Sequence, residues 1–262
     1  MALSVQSKRC GFFGDLATAL NGIRFAERVR IDCAVNWDKR SLYFDSEAGP
    51  NVWDYCFAQS NFNSNQSRGP IRFSLPYYPT ASGFIPYSGS SERESLSHAI
   101  SKFCKPHRFI EERVENYMEA QFAPRTLGVH YRGTDASAGF EGRRSVGFPE
   151  VEHTISKWLK QNRDGNVFLA TDSHEAVERL SSRFPGAIHW QDCLRSHNEN
   201  SLHGHYDRGN DSSGLKKAID VYTDAVLLSQ CSLVYADGSR VIWFAAAKNL
   251  NLEVRNFESD VS

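Results

Sequence analysis

The sequence lacks the features of a membrane-spanning or exported protein. Its longest apolar run, near Val241–Ala247, is far shorter than the roughly 20 residues that a membrane-spanning helix needs. The first nine residues contain charges but no apolar segment behind them. We therefore predict that the chain has no signal peptide and no membrane span, and that it is cytoplasmic.

The sequence also lacks an excess of either charge and lacks closely spaced cysteines. Lys and Arg number 30 against 31 Asp and Glu, a net charge of −1, so no long-range field attracts nucleic acid, although a local basic pocket remains compatible with this balance. No two of the six cysteines are closer than 23 residues, which excludes a Cys-x-x-Cys pair and zinc-ligand spacing. We expect six buried free thiols and no nucleic-acid partner.

Three familiar binding motifs are absent as well. The chain contains neither a Gly-x4-Gly-Lys-Ser/Thr P-loop nor a Gly-x-Gly-x-x-Gly turn, and it contains no Asp-x-Asp by which a metal-dependent glycosyltransferase would hold its ion. What is present is ordinary for a globular protein: 262 residues, 40% hydrophobic and 12% aromatic. This length predicts two domains or one large α/β domain.

The N-terminal part has less regular patterning than the rest. Residues 10–35 predict a short strand, the glycine turn Gly11-Phe12-Phe13-Gly14, a helix with Asp15 as its N-cap, and a strand over Ile31–Val35. Residues 36–90 are aromatic, polar and turn-rich, which is typical of irregular loops that line a polar groove and stack on glycans, or of core aromatics. Two helices are predicted near 92–104 and 107–121.

A regular alternation of strands and helices follows Pro124-Arg125. It predicts a doubly wound parallel sheet whose ligands lie beyond the carboxyl ends of its strands. The predicted strands are Leu127–Arg132, Asn166–Thr171, Ala187–Trp190 and Ser232–Ala236, and the predicted helices run from Pro149 to about Gln161, from a cap at Ser173 to about Arg183, over Leu215–Gln230 and over Arg240–Lys248.

Polar residues directly after the strands are the candidates for ligand binding. His130, Arg132 and Asp135 end the first strand, and the planar guanidinium of Arg132 suits a diphosphate. The alternative is a surface Arg132–Asp135 ion pair beside a satisfied His130. Asp172 ends the second strand, where a simple helix cap is an equal alternative.

Three further features are weaker candidates for ligand binding. Asp220 and Asp224 share one helix face, which on most helices is solvated. Gly238-Ser239 opens a helix whose backbone N–H groups can bind an anion. The polar loop with His197, His203 and His205 is compatible with a metal site, but a mobile lid is favoured.

Taken in order, these motifs resemble those of the α1,6-fucosyltransferase superfamily. That group includes the rhizobial nodulation fucosyltransferases, the core fucosyltransferases of N-glycans and, more distantly, the protein O-fucosyltransferases. The resemblance covers about residues 127–250. It depends on His130-Tyr-Arg-Gly-Thr-Asp135, Phe168-Leu-Ala-Thr-Asp-Ser173, Asp224-x6-Cys231-x6-Gly238-Ser239 and Leu227-Leu-Ser-Gln230, and more loosely on the glycine turn and Asn36-Trp37.

The resemblance implies an α/β, GT-B-like fold of two Rossmann-type domains with parallel sheets facing a cleft. The implied domains are an acceptor-side domain over 1–123, a nucleotide-sugar domain over 124–240, and a helix and tail over 241–262 that pack back toward the N-terminal domain. It also implies an inverting, metal-independent transferase that moves a sugar, L-fucose from GDP-fucose, to the hydroxyl of an oligosaccharide acceptor. No cofactor is implied beyond that donor.

Carried over by position, Arg132 would bind and neutralise the β-phosphate, His130 would hold the donor, and Asp224 would face guanine. The catalytic candidates are Arg132, Asp15, and Glu141 as the nearest acid in the turn after Asp135, one position out of register with the family. The implied donor-binding residues are Gly11, Phe12, Phe13, Gly14, His130, Arg132, Asp135, Asp172, Asp224, Gly238, Ser239 and Arg240.

The chain departs from the family at two cations. Gly133 stands where many members have a second arginine, and Ala136 stands where the core enzymes have a lysine. Arg143, Arg144 or Arg240 are the candidates to replace them. Three alternatives therefore remain: a transferase for another nucleotide sugar such as xylose or rhamnose, a non-catalytic module that binds nucleotide sugars or glycans, and an unrelated doubly wound enzyme such as a nucleotide hydrolase.

Overall fold

The computed structural model describes residues 2–58, 91–133, 146–197, 213–236 and 238–257. These residues form two compact units. Unit 1 comprises the described residues within 1–78, 90–112 and 207–223, and unit 2 comprises those within 79–89, 113–206 and 224–262. The described part contains eight helices and seven strands, and all the strand pairs are parallel. The predicted α/β, GT-B-like class is confirmed.

Unit 1 is built around two parallel strands and one long helix. Strand β1 (Ala2–Gln6) pairs with β2 (Asp32–Asn36), and α1 (Phe12–Val29) connects them. The alternation in β1 buries Leu3 and Val5. The predicted strand near residue 10 was wrong, because that position belongs to the loop between β1 and α1. The remaining helices of the unit are α2 (Trp53–Cys56), α3 (Ser91–Phe103), the first part of α4 (Arg108–Gln121) and the first part of α7 (Gly214–Ser229).

The aromatic residues of unit 1 form its core. Phe12 is 2% exposed and has edge-on or tilted ring contacts with Trp37, Phe57 and Tyr222. Trp53 is 1% exposed and packs against Trp37 and Phe57. For these residues the core alternative is therefore correct and the lining of a groove is not. Residues 59–90, the rest of the predicted aromatic loops, lie outside the described residues.

Unit 2 is a five-stranded parallel sheet. Its strands are β3 (Thr126–Tyr131), β4 (Asn166–Thr171), β5 (Ile188–His189), β6 (Leu233–Ala236) and β7 (Val254–Arg255), in the order β5-β4-β3-β6-β7. The helices α5 (Phe148–Gln161), α6 (His174–Arg183), α7 and α8 (Arg240–Lys248) connect them. This is the strand order of a doubly wound nucleotide-binding fold, and its order reverses between β3 and β6, where ligands of such sheets bind.

Both faces of this sheet are covered by helices. On one face Leu127 and Val129 of β3 pack in a core with Ile155 of α5 and Leu180 of α6. On the other face a Cβ at Gly128 would lie 3.0 Å from a side-chain carbon of Leu228, so the glycine lets α7 approach the sheet closely. The position of β3 in the centre of the sheet, covered on both faces, explains why all six of its residues are buried.

The compact units divide at other positions than the predicted boundaries. Among the described residues the units first divide inside α4, between Glu112 and Arg113, and the predicted domain boundary at Pro124-Arg125 stays a prediction. The tail forms β7 on the sheet of unit 2, a strand that the sequence analysis missed because it is two residues long. The packing of the tail against the N-terminal domain stays a prediction.

The cysteines are free, as predicted, but not all are buried. Cys33, Cys56, Cys104 and Cys231 are buried, whereas Cys193 is half-buried and Cys10 is exposed. Cys10 belongs to the loop between β1 and α1, where no strand packs over it. The expectation of six buried thiols was therefore wrong at these two positions.

Candidate functional site

Arg132 and Asp172 meet at the carboxyl edge of the sheet. Arg132 directly follows β3 and Asp172 directly follows β4, and these strands are neighbours. Their side chains form an ion pair with Arg132 Nε 3.9 Å from Asp172 Oδ2. The two side chains remain 28% and 21% exposed, so the pair contributes little to stability and mainly orients the guanidinium. The structure thus pairs Arg132 with Asp172.

The next residue, Gly133, is fixed by the same carboxylate. Its backbone N–H donates to Asp172 Oδ1 at 3.0 Å. A Cβ at this position would lie 2.6 Å from the Cβ of Ser173, closer than real side chains approach. Glycine is therefore required here, and an arginine at this position would displace the turn between β4 and α6. The sequence analysis noted the missing arginine but had no means to find this steric reason.

Asp172 is not the cap of α6. Ser173 is the N-cap, as predicted, and its side chain accepts a hydrogen bond from the backbone N–H of Ala176. The carbonyl of Asp172 accepts from Ser196 N at 2.8 Å, and Ser196 O accepts from His174 N at 2.9 Å. These bonds attach residues 191–197 to the edge of the sheet beside the Arg132–Asp172 pair.

His130 lies on β3 with small neighbours on both sides. It is in register with Ala170 of β4 and Ala236 of β6, and side chains in register on parallel strands project from the same face. The imidazole is 7% exposed. Both strand neighbours of His130 on this face are therefore alanines, and the contact of His130 with a ligand stays a prediction.

Beyond β6, Ser239 begins the last crossover helix. Its hydroxyl accepts from Val241 N at 3.1 Å as the N-cap of α8, and the residue is 3% exposed. Gly238 is buried before it, and Arg240, the first residue of α8, is partly exposed. The sequence therefore placed the helix start correctly. Because the Ser239 oxygen already accepts a hydrogen bond, its contact with a phosphate would use the hydroxyl hydrogen.

Asp224 of α7 belongs to a polar cluster that the sequence analysis missed. Gln191 lies two residues after β5, and its Nε2 donates to Asp224 Oδ1. This contact places Asp224 at the carboxyl edge of the sheet. Burial and then the charge of Asp224 raise the pKa of Tyr117, whose hydroxyl is buried. The position of Gln191 directly after a strand was the signal that could have identified it.

Asp220, the other acid on α7, has a different environment in unit 1. Its carboxylate is 6% exposed and pairs with Lys216, whose Nζ lies 2.6 Å from Asp220 Oδ2. The charge of Asp220 is thus compensated from one turn earlier on its own helix. A solvated face was the ordinary expectation for these two acids, and it is wrong for Asp220.

In unit 1 the glycine turn is held by Asp15. The helix begins at Phe12 with Gly11 as N-cap at a φ of 77°, so Asp15 is inside the first turn and its prediction as N-cap was wrong. Its carboxylate is buried and accepts from Ser7 Oγ at 2.5 Å and from Lys8 N at 2.7 Å. A positive φ, which glycine adopts without strain, allows the helix to start before the acid.

The aromatic residues of this turn face the core. Phe12 and Phe13 are 2% and 3% exposed, so any contact that they make with a donor would come from their backbone. Gly14 is also buried, and its N–H donates to Gly11 O at 3.1 Å. The predicted donor-binding role of these four residues and the catalytic role of Asp15 stay predictions.

Several predicted residues lie outside the described part of the chain. They include Asp135 and Glu141, and also Ala136, Arg143, Arg144, His203 and His205. His197 is described, and its ring centroid lies 4.3 Å from that of His174. Within the described ranges no cluster of three or more His, Cys, Asp or Glu residues is arranged to hold a metal ion. No helix in those ranges is long and apolar enough to cross a membrane.

The fold is that of an α1,6-fucosyltransferase of known structure, NodZ. The crystal structure of NodZ soaked with GDP-fucose matches 95% of this chain and 92% of its own, with a TM-score of 0.56 and 15% identity. A structure of NodZ from Bradyrhizobium matches 100% of this chain and 96% of its own, with a TM-score of 0.59 and 16% identity. No family model and no curated protein matches the sequence.

Proposed function

We propose that this chain is an inverting glycosyltransferase that moves L-fucose from GDP-fucose to a glycan hydroxyl without a metal ion. The observation that carries the proposal is the Arg132–Asp172 pair at the carboxyl edge of a doubly wound sheet, beside the point where the strand order reverses. A chain with the fold of NodZ presents there a cation suited to a diphosphate.

Arg132 stabilises the leaving group in this proposal. Its contact with Asp172 is through Nε, and its terminal nitrogens form the fork that engages the β-phosphate. Negative charge grows on the phosphate oxygen as the glycosidic bond breaks, so the interaction strengthens toward the transition state. Asp172 holds the guanidinium in place before the reaction begins. Ser239, Arg240 and the first amides of α8 bind the remaining phosphate oxygens.

His130 and Asp224 bind the nucleoside part of the donor. The carboxylate of Asp224 lies at the same edge of the sheet through its bond with Gln191. A carboxylate offers two acceptors to the adjacent N1–H and N2–H donors of guanine. His130 is in register with Ala170 and Ala236 on the neighbouring strands, and we place its imidazole beside the donor.

The transfer is an in-line displacement with an oxocarbenium-like transition state. Glu141 is the proposed base that takes the proton from the acceptor hydroxyl, and Asp15 is the other acidic candidate. The absence of Asp-x-Asp from the sequence supports stabilisation of the diphosphate by Arg132 and helix amides instead of a metal.

One observation favours a second function, that of a non-catalytic module for nucleotide sugars. Glycine is required at position 133, so the second arginine of the family cannot stand there. Among the described residues at the end of β3, Arg132 alone supplies a cation, which binds a diphosphate but stabilises its developing charge less. This alternative predicts donor binding without turnover. The third alternative is transfer of a different sugar, xylose or rhamnose, which a screen of donors distinguishes from transfer of fucose.

The decisive experiment measures donor binding and donor turnover together. Calorimetry with GDP-fucose, GDP-mannose, UDP-xylose and dTDP-rhamnose identifies the donor, and release of free nucleotide with a mixture of N-glycan and chitin-oligosaccharide acceptors measures transfer. We expect GDP-fucose to bind best and to be consumed in excess EDTA. Binding without nucleotide release would support the non-catalytic module, and no binding of any GDP-sugar would refute the proposed function.

A further inference from the structure

Gln191 is a buried amide in direct contact with Asp224. The residue is 3% exposed, lies two residues beyond β5, and donates from Nε2 to Asp224 Oδ1 across 33 residues of sequence. A buried glutamine at the end of an edge strand has no packing advantage over an apolar residue of the same size. Its cost of burial is offset here only through its polar contacts.

The backbone of Gln191 is fixed as well as its side chain. Arg195 donates from Nη2 to Gln191 O at 2.6 Å and from Nη1 to Cys193 O at 3.3 Å. The guanidinium therefore braces the turn that follows β5. Gln191 is held at its carbonyl by Arg195 and at its amide nitrogen by Asp224, so the direction of the side-chain N–H is determined.

Tyr117 of α4 lies close enough to this cluster for its pKa to respond to the charge of Asp224. Its hydroxyl is buried and has no hydrogen-bond partner among the described residues, and its ring packs edge-on against Phe168 of β4. Burial and the charge of Asp224 raise the pKa of Tyr117, so the phenol stays neutral at physiological pH. The carboxylate of Asp224 thus accepts from a fixed amide donor, and its charge acts on a phenol that stays neutral.

We infer that Gln191 is a positioning residue that determines base specificity, because it sets the plane of the Asp224 carboxylate for a base with two adjacent N–H donors. The inference rests on the proposed function, which places guanine at Asp224. A carboxylate otherwise rotates about a broad terminal torsion, and a bidentate contact needs both oxygens in the plane of the base. The hydrogen bond from Gln191 to Oδ1 fixes the plane of the Asp224 carboxylate and leaves a second lone pair on the same oxygen for the ligand.

A purely structural role for Gln191 predicts a different pattern of binding. If the amide only satisfied a half-buried acid, its loss would loosen the turn after β5 and weaken all nucleotides equally. If it orients Asp224, its loss weakens the contact that depends on both oxygens. GDP and IDP separate these cases, because IDP keeps the diphosphate and N1–H but lacks the N2 amino group.

The test is calorimetry of GDP and IDP with the full chain and with Gln191→Leu. We expect the parent to prefer GDP by about tenfold or more, the effect of one hydrogen bond to a charged group. Gln191→Leu is expected to bind IDP within about twofold of the parent and to prefer GDP by no more than about threefold, because the oriented bond is lost. The matched control is Gln161→Leu, the same change at an exposed residue at the end of α5.

A second variant keeps the test valid if Gln191→Leu fails to fold. Gln191→Glu has nearly the same shape but places a second carboxyl beside Asp224. We expect repulsion between the two carboxylates to abolish the preference for GDP at pH 8. At pH 5.5 we expect the introduced carboxyl to be protonated, because the negative charge of Asp224 favours its neutral form, and to donate a hydrogen bond to Asp224 again. Phosphate ionisation changes equally in both nucleotides, so the GDP-to-IDP ratio isolates the effect.

The outcomes distinguish this inference from the proposed function. An equal loss of GDP and IDP affinity in Gln191→Leu, or an unchanged ratio, overturns the role of Gln191 alone. A parent that consumes GDP-fucose but does not distinguish GDP from IDP overturns the inference and leaves transfer intact. A parent that binds neither nucleotide refutes both.

Discussion

Replacing Arg132 with lysine tests whether this side chain stabilises the leaving diphosphate. Lysine keeps the positive charge but loses the planar fork, so it binds a phosphate through one point instead of two. The structure indicates that the fold will tolerate this change. Asp172 holds the backbone of Gly133 through a separate hydrogen bond, which does not involve the side chain of residue 132.

The effect on stability follows from the geometry of the ion pair. Nε and Oδ2 are 3.9 Å apart and both side chains are partly exposed, which limits the contribution of the pair to at most about 1 kcal/mol. For a chain of this size, that corresponds to a fall in Tm of no more than about 2–4 °C. The effect on catalysis should be larger, because one preorganised transition-state donor contributes roughly 10²–10³ in kcat.

The assay measures kcat and KM for GDP-fucose by nucleotide release, with Tm measured on the same samples. We expect Arg132→Lys to keep its Tm within that range, bind the donor moderately less well and lose about 10²–10³ in kcat. Arg125→Lys is the matched control, since Arg125 is exposed and precedes the same strand at its other end. A lowered Tm with kcat nearly intact would refute the role of Arg132 and indicate a structural one.

Further changes test the remaining parts of the site. Asp224→Asn replaces one acceptor by a donor and should cost about 1.5–3 kcal/mol of GDP affinity by calorimetry; unchanged affinity would refute base recognition by Asp224. Transfer should be unaffected by excess EDTA after metal stripping, and a tenfold fall that Mn²⁺ or Mg²⁺ restores would contradict the metal-free mechanism. Asp172→Asn keeps an acceptor for Gly133 but removes the charge beside Arg132, so kcat should fall by about tenfold with KM little changed, whereas the exposed control Asp164→Asn should not alter kcat. Gly133→Ala should lower the free energy of unfolding by about 1–3 kcal/mol because its Cβ would meet Ser173 at 2.6 Å, and an unchanged denaturation midpoint would show that the turn relaxes freely.

Local patterns predicted the elements after Pro124-Arg125 well. The limits of β4 and α8 agree with their predictions, and β3, β6 and α7 differ by about one residue. These elements are long or strongly periodic, and their starts have local signals such as the Ser173 cap. The candidates Arg132 and Asp172 were found for the same reason, since each directly follows an apolar strand.

Predictions in the N-terminal half were poorer because its signals are not local. Aspartate is a favoured N-cap residue, but Gly11 allows the helix to start before Asp15. The Asp15 carboxylate instead accepts a hydrogen bond from the backbone of the preceding loop. The aromatic residues after β2 are compatible with a groove or a core by sequence. The core that they form around Phe12 includes Tyr222, which lies more than 200 positions after Phe12 in the chain.

The sequence by itself determined the alternation of strands and helices and the polar residues that end each strand, because both depend on neighbours within a few positions. Only the tertiary structure decided which strand ends are adjacent, why Gly133 is required, and which residue donates a hydrogen bond to Asp224. Sheet order, close approach and a hydrogen bond between Gln191 and Asp224 are contacts between distant segments. No periodicity encodes such contacts, because they exist only once the parallel strands have paired and brought their carboxyl ends to one edge.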